Sequence, residues 1–223
     1  MAARARGRAR RAALIGVAAA LLPIADANAA VTAYTSRAAF EAELAMRGGE
    51  HAIDFESIAA GTVLAAGTHV GGVGFWLAAA SGRELVVTDA WATTSGAHSL
   101  GTTPLDALAS GDALTLALPP ALAVGVTVIA ADALPGDFEL HFAGAAVAPD
   151  ADAFFLGLVA DDVVAASDAV LVALDPGAGD SFAWNADDVL YAPEADGALA
   201  ACAALTALAA NACHAGGRGR HRS

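Results

Sequence analysis

Two acidic residues stand close together in the segment Ile53-Asp54-Phe55-Glu56. Successive side chains of a β-strand point to opposite faces, so Asp54 and Glu56 would share one face, about 7 Å apart along the strand. Paired carboxylates can serve as the acid and base of a glycosidase, or can bind a cation when other oxygens join them. The glycosidase interpretation also needs a cleft and a raised pKa, and the sequence indicates neither.

Other patterns that could support catalysis are incomplete. The triplet Gly179-Asp180-Ser181 is similar to a block of certain esterases, but that block stands near the N-terminus with an Asp and a His downstream. Only His214 and His221 follow the triplet here. The histidines of the middle region stand singly, at positions 51, 69, 98 and 141, whereas zinc ligands usually show short spacings. The sequence therefore predicts a protein that is not an enzyme.

Tryptophan is the side chain best suited to stacking on a sugar ring. Trp184 alternates with Phe182, and Trp76 follows Phe75 in an apolar run, so we expect both tryptophans in the core. Trp91 stands among Asp, Thr and Ser residues in a predicted loop. It is therefore the candidate for an exposed residue that stacks on glycans.

Residues 30–192 have the pattern of a β-protein. A Ser36 cap and the helical spacing of Phe40 and Leu44 predict one short N-terminal helix over 36–46. About ten short segments with apolar alternation follow, separated by Gly, Pro, Asp and Ser. They cover 51–57, 70–77, 84–88, 98–101, 113–118, 123–130, 138–142, 153–159, 169–174 and 181–191. This spacing predicts a mainly β fold, a β-sandwich or jelly roll.

Composition limits the partners of this region. Hydrophobic types make up 57% of the 223 residues, but alanine supplies about half of them, so larger apolar side chains have ordinary abundance. All eleven basic residues are Arg, and only Arg37, Arg47 and Arg83 lie within 30–192. With 21 acidic residues, the formal charge of this region is −18. So negative a domain repels phosphate backbones, which excludes nucleic acid as a partner.

The N-terminus has the three parts of a secretory signal peptide. Five Arg residues lie between positions 4 and 11, an apolar stretch of 13 residues covers 12–24, and the small triplet Ala27-Asn28-Ala29 follows. A membrane span needs about 20 apolar residues, so this stretch is too short to be an anchor. We expect residues 1–29 to be removed by signal peptidase, with cleavage between Ala29 and Ala30.

The C-terminus, residues 193–223, combines a motif, an Ala/Leu-rich segment and a basic end. The motif is Pro193-Glu194-Ala195, and the end contains Arg218, Arg220 and Arg222. The Arg cluster should stay on the cytoplasmic side while the short hydrophobic helix inserts transiently in the membrane. A helix packed on the domain is the alternative, since alanine forms helices in any setting.

This tail resembles the PEP-CTERM sorting signal of Gram-negative bacteria, in which an exosortase cleaves at a Pro-Glu-Pro tripeptide before a weak membrane helix and a basic end. Ala195 replaces the second Pro here. The middle region resembles the ectodomain common among such proteins and, more loosely, MAM and carbohydrate-binding jelly rolls. The matching pieces are 34–36 with Phe40, 53–56 with Gly61, 72–75, 99–101, 154–157 and 186–191. The resemblance implies an exported, surface-sorted β-sandwich.

The resemblance also implies a metal site. In the jelly rolls named above the first and last strands lie close together, which would bring Asp187 and Asp188 near Asp54 and Glu56. Four converging carboxylates repel one another unless a cation or protons intervene, and oxygen ligands suit Ca²⁺. We expect a structural Ca²⁺ held by some of these four residues. The alternative is that carboxylates are simply frequent in so acidic a domain.

The function predicted from the sequence is a non-enzymatic component of the Gram-negative envelope or exopolysaccharide matrix, located at the cell surface or outside the cell. One alternative is a carbohydrate-binding module that recognises extracellular polysaccharide. The other is a secreted hydrolase with an unrecognised site.

Overall fold

The structure, a computed structural model, describes residues 30–79, 82–131, 133–134, 136–149, 154–174 and 182–194. This part of the chain contains one helix, α1 (Arg37–Met46), and fifteen strands. The strands are β1 (Val31–Tyr34), β2 (His51–Ile53), β3 (Val63–Leu64), β4 (Thr68–Val70), β5 (Val73–Ala78), β6 (Leu85–Thr88), β7 (Ser99–Thr102), β8 (Leu108–Ala109), β9 (Ala113–Leu118), β10 (Ala121–Ala131), β11 (Phe138–Phe142), β12 (Ala145–Val147), β13 (Phe155–Val164), β14 (Ser167–Ala173) and β15 (Ala183–Pro193).

The strands form two antiparallel sheets. Sheet A has the order β1-β13-β10-β15-β7-β6-β3, with β2 and β8 also paired to β15, and sheet B has the order β12-β11-β14-β9-β5-β4. One core lies between them, to which sheet A contributes Val124 and Trp184 and sheet B contributes Leu114 and Leu116. The predicted mainly β fold and the sandwich arrangement are therefore confirmed, as is the short N-terminal helix.

The predicted strand over 51–57 is wrong, because β2 ends at Ile53. Phe55 has a φ of 59°, and its carbonyl accepts a hydrogen bond from the Ile58 N–H at 3.0 Å. The chain turns at this point while the Phe55 ring enters the core and packs edge-on against Phe75, with 5.8 Å between ring centroids. Asp54 and Glu56 therefore lie in a turn and do not share the face of a strand.

The predicted strand over 70–77 is two strands, β4 and β5. They are joined at Gly71 and Gly72, whose φ values are 56° and 88°. Two consecutive residues with positive φ form the tight hairpin turn that matches the twist of paired strands. This hairpin forms the edge of sheet B.

Helix α1 covers part of the outer face of sheet A, the face turned away from sheet B. Ser36 caps the helix through its side-chain oxygen, which accepts the Ala39 N–H. Phe40 and Leu44 are fully buried in a second, smaller core on that face. Phe40 packs closely because Gly157 lies beneath it, where an added Cβ would stand 2.6 Å from its ring.

The predicted signal peptide (1–29) and nearly all of the predicted tail (193–223) lie outside the described residues. Within the part of the chain that is described, no helix is long and apolar enough to cross a membrane. Among the described residues the first strand begins at Val31 and the last ends at Pro193.

Candidate functional site

The last strand of sheet A carries two buried carboxylates at a bulge. Strand β15 pairs regularly with β10 on either side of residues 187 and 188, with a register shift between. Asp187 and Asp188 therefore both face the single residue Thr127, as in a β-bulge. The two acidic residues are 0% and 2% exposed. Burial of adjacent anions requires donors or cations around them.

Asp188 binds the start of α1. Its Oδ2 accepts a hydrogen bond from Arg37 Nη1 and its Oδ1 accepts one from the Ser95 hydroxyl. Arg37 also pairs with Glu41 one helical turn away, with 2.7 Å between Nε and Oε1. The ion pair between Arg37 and Asp188 joins the first residue of α1 to β15, in the middle of sheet A.

Asp187 binds the connection between β6 and β7, residues 89–98, which we call the clasp loop. Its Oδ2 accepts the Thr94 N–H at 2.7 Å, the Thr94 hydroxyl at 2.5 Å and the Ser95 N–H at 3.4 Å. Its Oδ1 is buried and has no hydrogen-bond partner among the described residues. Burial raises the pKa of Asp187 and the neighbouring Asp188 charge adds to this, while the bonds from Thr94 oppose it.

Glu56 binds the other end of the clasp loop. Its Oε1 accepts the N–H groups of His98 at 2.6 Å and Ala97 at 2.7 Å, and these bonds lower the pKa of Glu56. Gly96 has a φ of 59°, and an added Cβ there would lie 2.2 Å from the Glu56 carboxyl carbon, so glycine is required. A lowered pKa is the reverse of what the acid of a glycosidase needs.

Asp54 is exposed and holds only the local turn, because its Oδ1 accepts the Glu56 N–H at 3.2 Å. Asp187 and Asp188 contact the clasp loop around Ser95, and Glu56 contacts it at residues 97 and 98. Among the described residues, no three or more His, Cys, Asp or Glu side chains are grouped so that they could hold a metal ion. The structural Ca²⁺ stays a prediction. Thermal melts with excess Ca²⁺ and with a chelator would test it, and identical midpoints would rule it out.

A pocket of about 400 Å³ opens where α1, the clasp loop and β10 meet. Its polar groups come from Arg37, Thr94 and Thr127, and its apolar walls come from Ala92, Val128, Ile129, Ala130, Phe154 and Phe155. Thr127 is buried, and its hydroxyl has no partner among the described residues. Because Arg37 is already paired with two carboxylates, the pocket suits a small uncharged ligand better than an anion. Thr127 stands between the core residues Val126 and Val128, so alternation along β10 turns it to the outer face of sheet A. Thr127 was not among the residues predicted from the sequence, and no sequence pattern indicated the residues that form the pocket around it.

The structure separates the three tryptophans. Trp184 is fully buried and donates from Nε1 to the Ala109 carbonyl at 3.0 Å, which confirms its predicted place in the core. Trp91, the predicted glycan-stacking residue, is half-buried in the clasp loop. The core position predicted for Trp76 is wrong, since Trp76 is 37% exposed. Its neighbour Phe75 takes the core side of β5, so alternation turns Trp76 to the outer face of sheet B.

The residues of the predicted processing sites lie at the ends of the sandwich. Pro193 is the last residue of β15, and the Glu194 N–H donates to the Pro120 carbonyl at 2.9 Å. The carbonyl of Ala30 accepts the Asp161 N–H at 2.9 Å. Ala29 and Ala195 lie outside the described residues.

A scan against protein-family models and a search of curated proteins both found no match to this chain.

Proposed function

We propose that this protein is an exported, surface-sorted, non-enzymatic component of the Gram-negative envelope or exopolysaccharide matrix. In this proposal, signal peptidase removes residues 1–29, and an exosortase-type enzyme acts at Pro193-Glu194-Ala195 after the tail has inserted transiently in the membrane. The sandwich is then a jelly roll, and the signal and the tail form helices before they are processed.

The observation that carries the proposal is where the folded strands begin and end. The first strand starts at Val31, one residue after the expected N-terminus Ala30, and the last strand ends at Pro193, the first residue of the motif. Cleavage at both sites would therefore leave every strand of the sandwich in place. This placement supports the proposal, because segments that are removed after export must lie outside the folded domain.

The contacts of the carboxylates support the non-enzymatic part. Glu56 and Asp188 use their oxygens to bind donors of the protein itself, and the Glu56 pKa is lowered. A general acid needs a raised pKa and a position within reach of a substrate. Glu56 and Asp188 therefore hold the clasp loop and α1 in place.

Cell fractionation with N-terminal sequencing tests this proposal. We expect the protein outside the cytoplasm, beginning at Ala30, and no longer carrying an epitope placed after Arg222. A double variant, Ala27→Leu with Ala29→Leu, should keep residues 1–29, because signal peptidase needs small residues at these two positions. Full-length protein, beginning at Met1 and found in the cytoplasm, would contradict the proposal.

A second candidate function, carbohydrate binding, is favoured by the exposed Trp76. Trp76 lies on the outer face of sheet B, away from the core between the sheets, and an aromatic ring that is open to solvent on one side can stack on a sugar ring.

A further inference from the structure

The Trp76 side chain rests on two glycines. An added Cβ at Gly74 would lie 2.7 Å from its ring atoms Cη2 and Cζ3, and one at Gly67 would lie 3.2 Å from Cζ2. The indole therefore lies against the sheet on one side, and its exposed surface is the opposite side. Any larger residue at 74 would lift the ring, so these glycines set a flat aromatic surface toward solvent.

Trp76 begins a continuous row across the outer face of sheet B. It stands opposite Thr115 of β9, which stands opposite Val170 of β14, which stands opposite His141 of β11. At the usual strand spacing this row is about 14 Å long. We call it the Trp76 row.

Most residues beside the Trp76 row are small, or are polar and exposed, and Val172 beside Val170 is a partly buried apolar exception. Ala117 lies next to Thr115 on the same face, between Gly74 and the exposed Asp168. At the far end, Nε2 of His141 pairs with Glu139 at 3.0 Å. The flat Trp76 ring lies beside small residues, with the Thr115 hydroxyl on the neighbouring strand and the Asp168 carboxylate and His141 imidazole farther across the face. This arrangement offers both stacking and hydrogen bonding to one extended ligand.

Charge selects among the ligands that could use this face. Residues 30–192 carry a formal charge of −18, so anionic polysaccharides, anionic lipid surfaces and a second copy of the chain are all repelled. The C–H face of a neutral sugar ring suits the negative face of an indole, and its hydroxyl groups suit Thr115 and Asp168 as partners.

We infer that the Trp76 row is a binding site for an uncharged polysaccharide, in which one sugar ring stacks on Trp76 and the chain runs across β9 and β14 toward His141. This inference deepens the proposed function, because it names the surface by which a matrix component would hold polysaccharide. It names Trp76 in addition to Trp91, whose predicted role in glycan stacking stays a prediction.

Native affinity electrophoresis tests the site with the full-length chain expressed with its own signal. The gels contain hydroxyethyl cellulose, dextran or galactomannan as neutral probes, and alginate as the anionic probe. We expect at least one neutral probe to retard the protein and alginate not to. Trp76→Ala should weaken retardation about tenfold or more, because stacking and buried area are lost together. Trp91→Ala is the matched control and should migrate as the parent does.

A second variant separates stacking from folding. Gly74→Ala keeps the indole but lifts it from the sheet, so retardation should fall while the far-ultraviolet circular dichroism stays that of the parent. Retardation that is absent with every neutral probe, equal in Trp76→Ala and parent, or lost in Trp91→Ala would overturn the inference. Those results would leave the proposed export intact, since fractionation measures it separately.

Discussion

The two outer faces of the sandwich differ in what covers them. The outer face of sheet A is covered in part by α1 and bordered by the clasp loop, and buried carboxylates hold these elements in place. The outer face of sheet B has no such cover among the described residues, and Trp76 is exposed on it. In both cases glycines set the height of an aromatic ring, with Gly157 under Phe40 and Gly74 under Trp76.

The same local contact, an aromatic ring packed on a glycine, has a different consequence on each face. Under Phe40 the glycine lets a helix approach, which seals the face and stabilises the fold. Under Trp76 it presents a flat ring to solvent, where the ring is free to meet a ligand. The comparison assigns stability to the face of sheet A and recognition to the face of sheet B.

Loss of Phe40 should have the largest effect on stability. Phe40→Ala empties the small core beneath α1, and such truncations of a buried Phe cost about 3–5 kcal/mol. Trp76→Ala on the other face should cost less, about 1–2 kcal/mol, because 37% of the residue is already exposed. Urea unfolding of both variants measures this, and equal losses would remove the contrast between the faces.

The Asp188 ion pair should have an intermediate effect. Asp188→Ala leaves Arg37 with Glu41 alone and the Ser95 hydroxyl without its acceptor, at a cost of about 1–3 kcal/mol. The exposed Asp168 of sheet B provides the matched control, since Asp168→Ala should change stability by less than about 0.5 kcal/mol. If both variants unfold at the same urea concentration, the carboxylate at the bulge does not hold α1.

The smallest expected effect concerns pH. The pKa of Asp187 is raised in the fold by burial, so the native state binds more protons and this residue's contribution to stability falls as pH rises from about 4 through the folded pKa. The pKa of Glu56 is lowered by the His98 and Ala97 N–H groups, so its contribution is present above its unfolded pKa and is lost as pH falls through the folded pKa.

Urea unfolding between about pH 3 and 7 should separate these two residues. The stability of the parent relative to Asp187→Asn should fall as pH rises, and the stability of the parent relative to Glu56→Gln should rise. Both differences moving in the same direction would show that one of the two carboxylates lies in another environment.

Much of this fold could be predicted because its signals are local. The Ser36 cap with Phe40 and Leu44 specifies a helix within one stretch of chain, and alternation along residues 113–118 specifies β9 in the same way. Alternation failed at Phe55, where a buried ring coincides with a positive φ and the burial pattern of a strand continues through a turn.

The candidate sites were harder to predict because they depend on contacts distant in sequence. Asp187 and Asp188 could be chosen from their type, but their partners lie far away along the chain. Thr94 and Ser95 are 93 residues distant from Asp187 and Asp188 respectively, and Arg37 is 151 residues from Asp188. Phe75 and Trp76 are both large and apolar, so alternation alone could not decide which of them faces the core. The available signal was Gly74, two residues before Trp76 and opposite His69 in the hairpin, because a glycine on that face leaves room for the Trp76 ring to lie against the sheet.

The central claim, that an exported sandwich meets polysaccharide through the Trp76 row, is tested most directly in the producing cells. The measurement is the distribution of the protein between matrix-bound and freely soluble extracellular material, for the parent and for Trp76→Ala. We expect the parent to be bound to the matrix and Trp76→Ala to be released in soluble form, with both exported equally. An unchanged distribution, or retention of both proteins inside the cell, would contradict the claim.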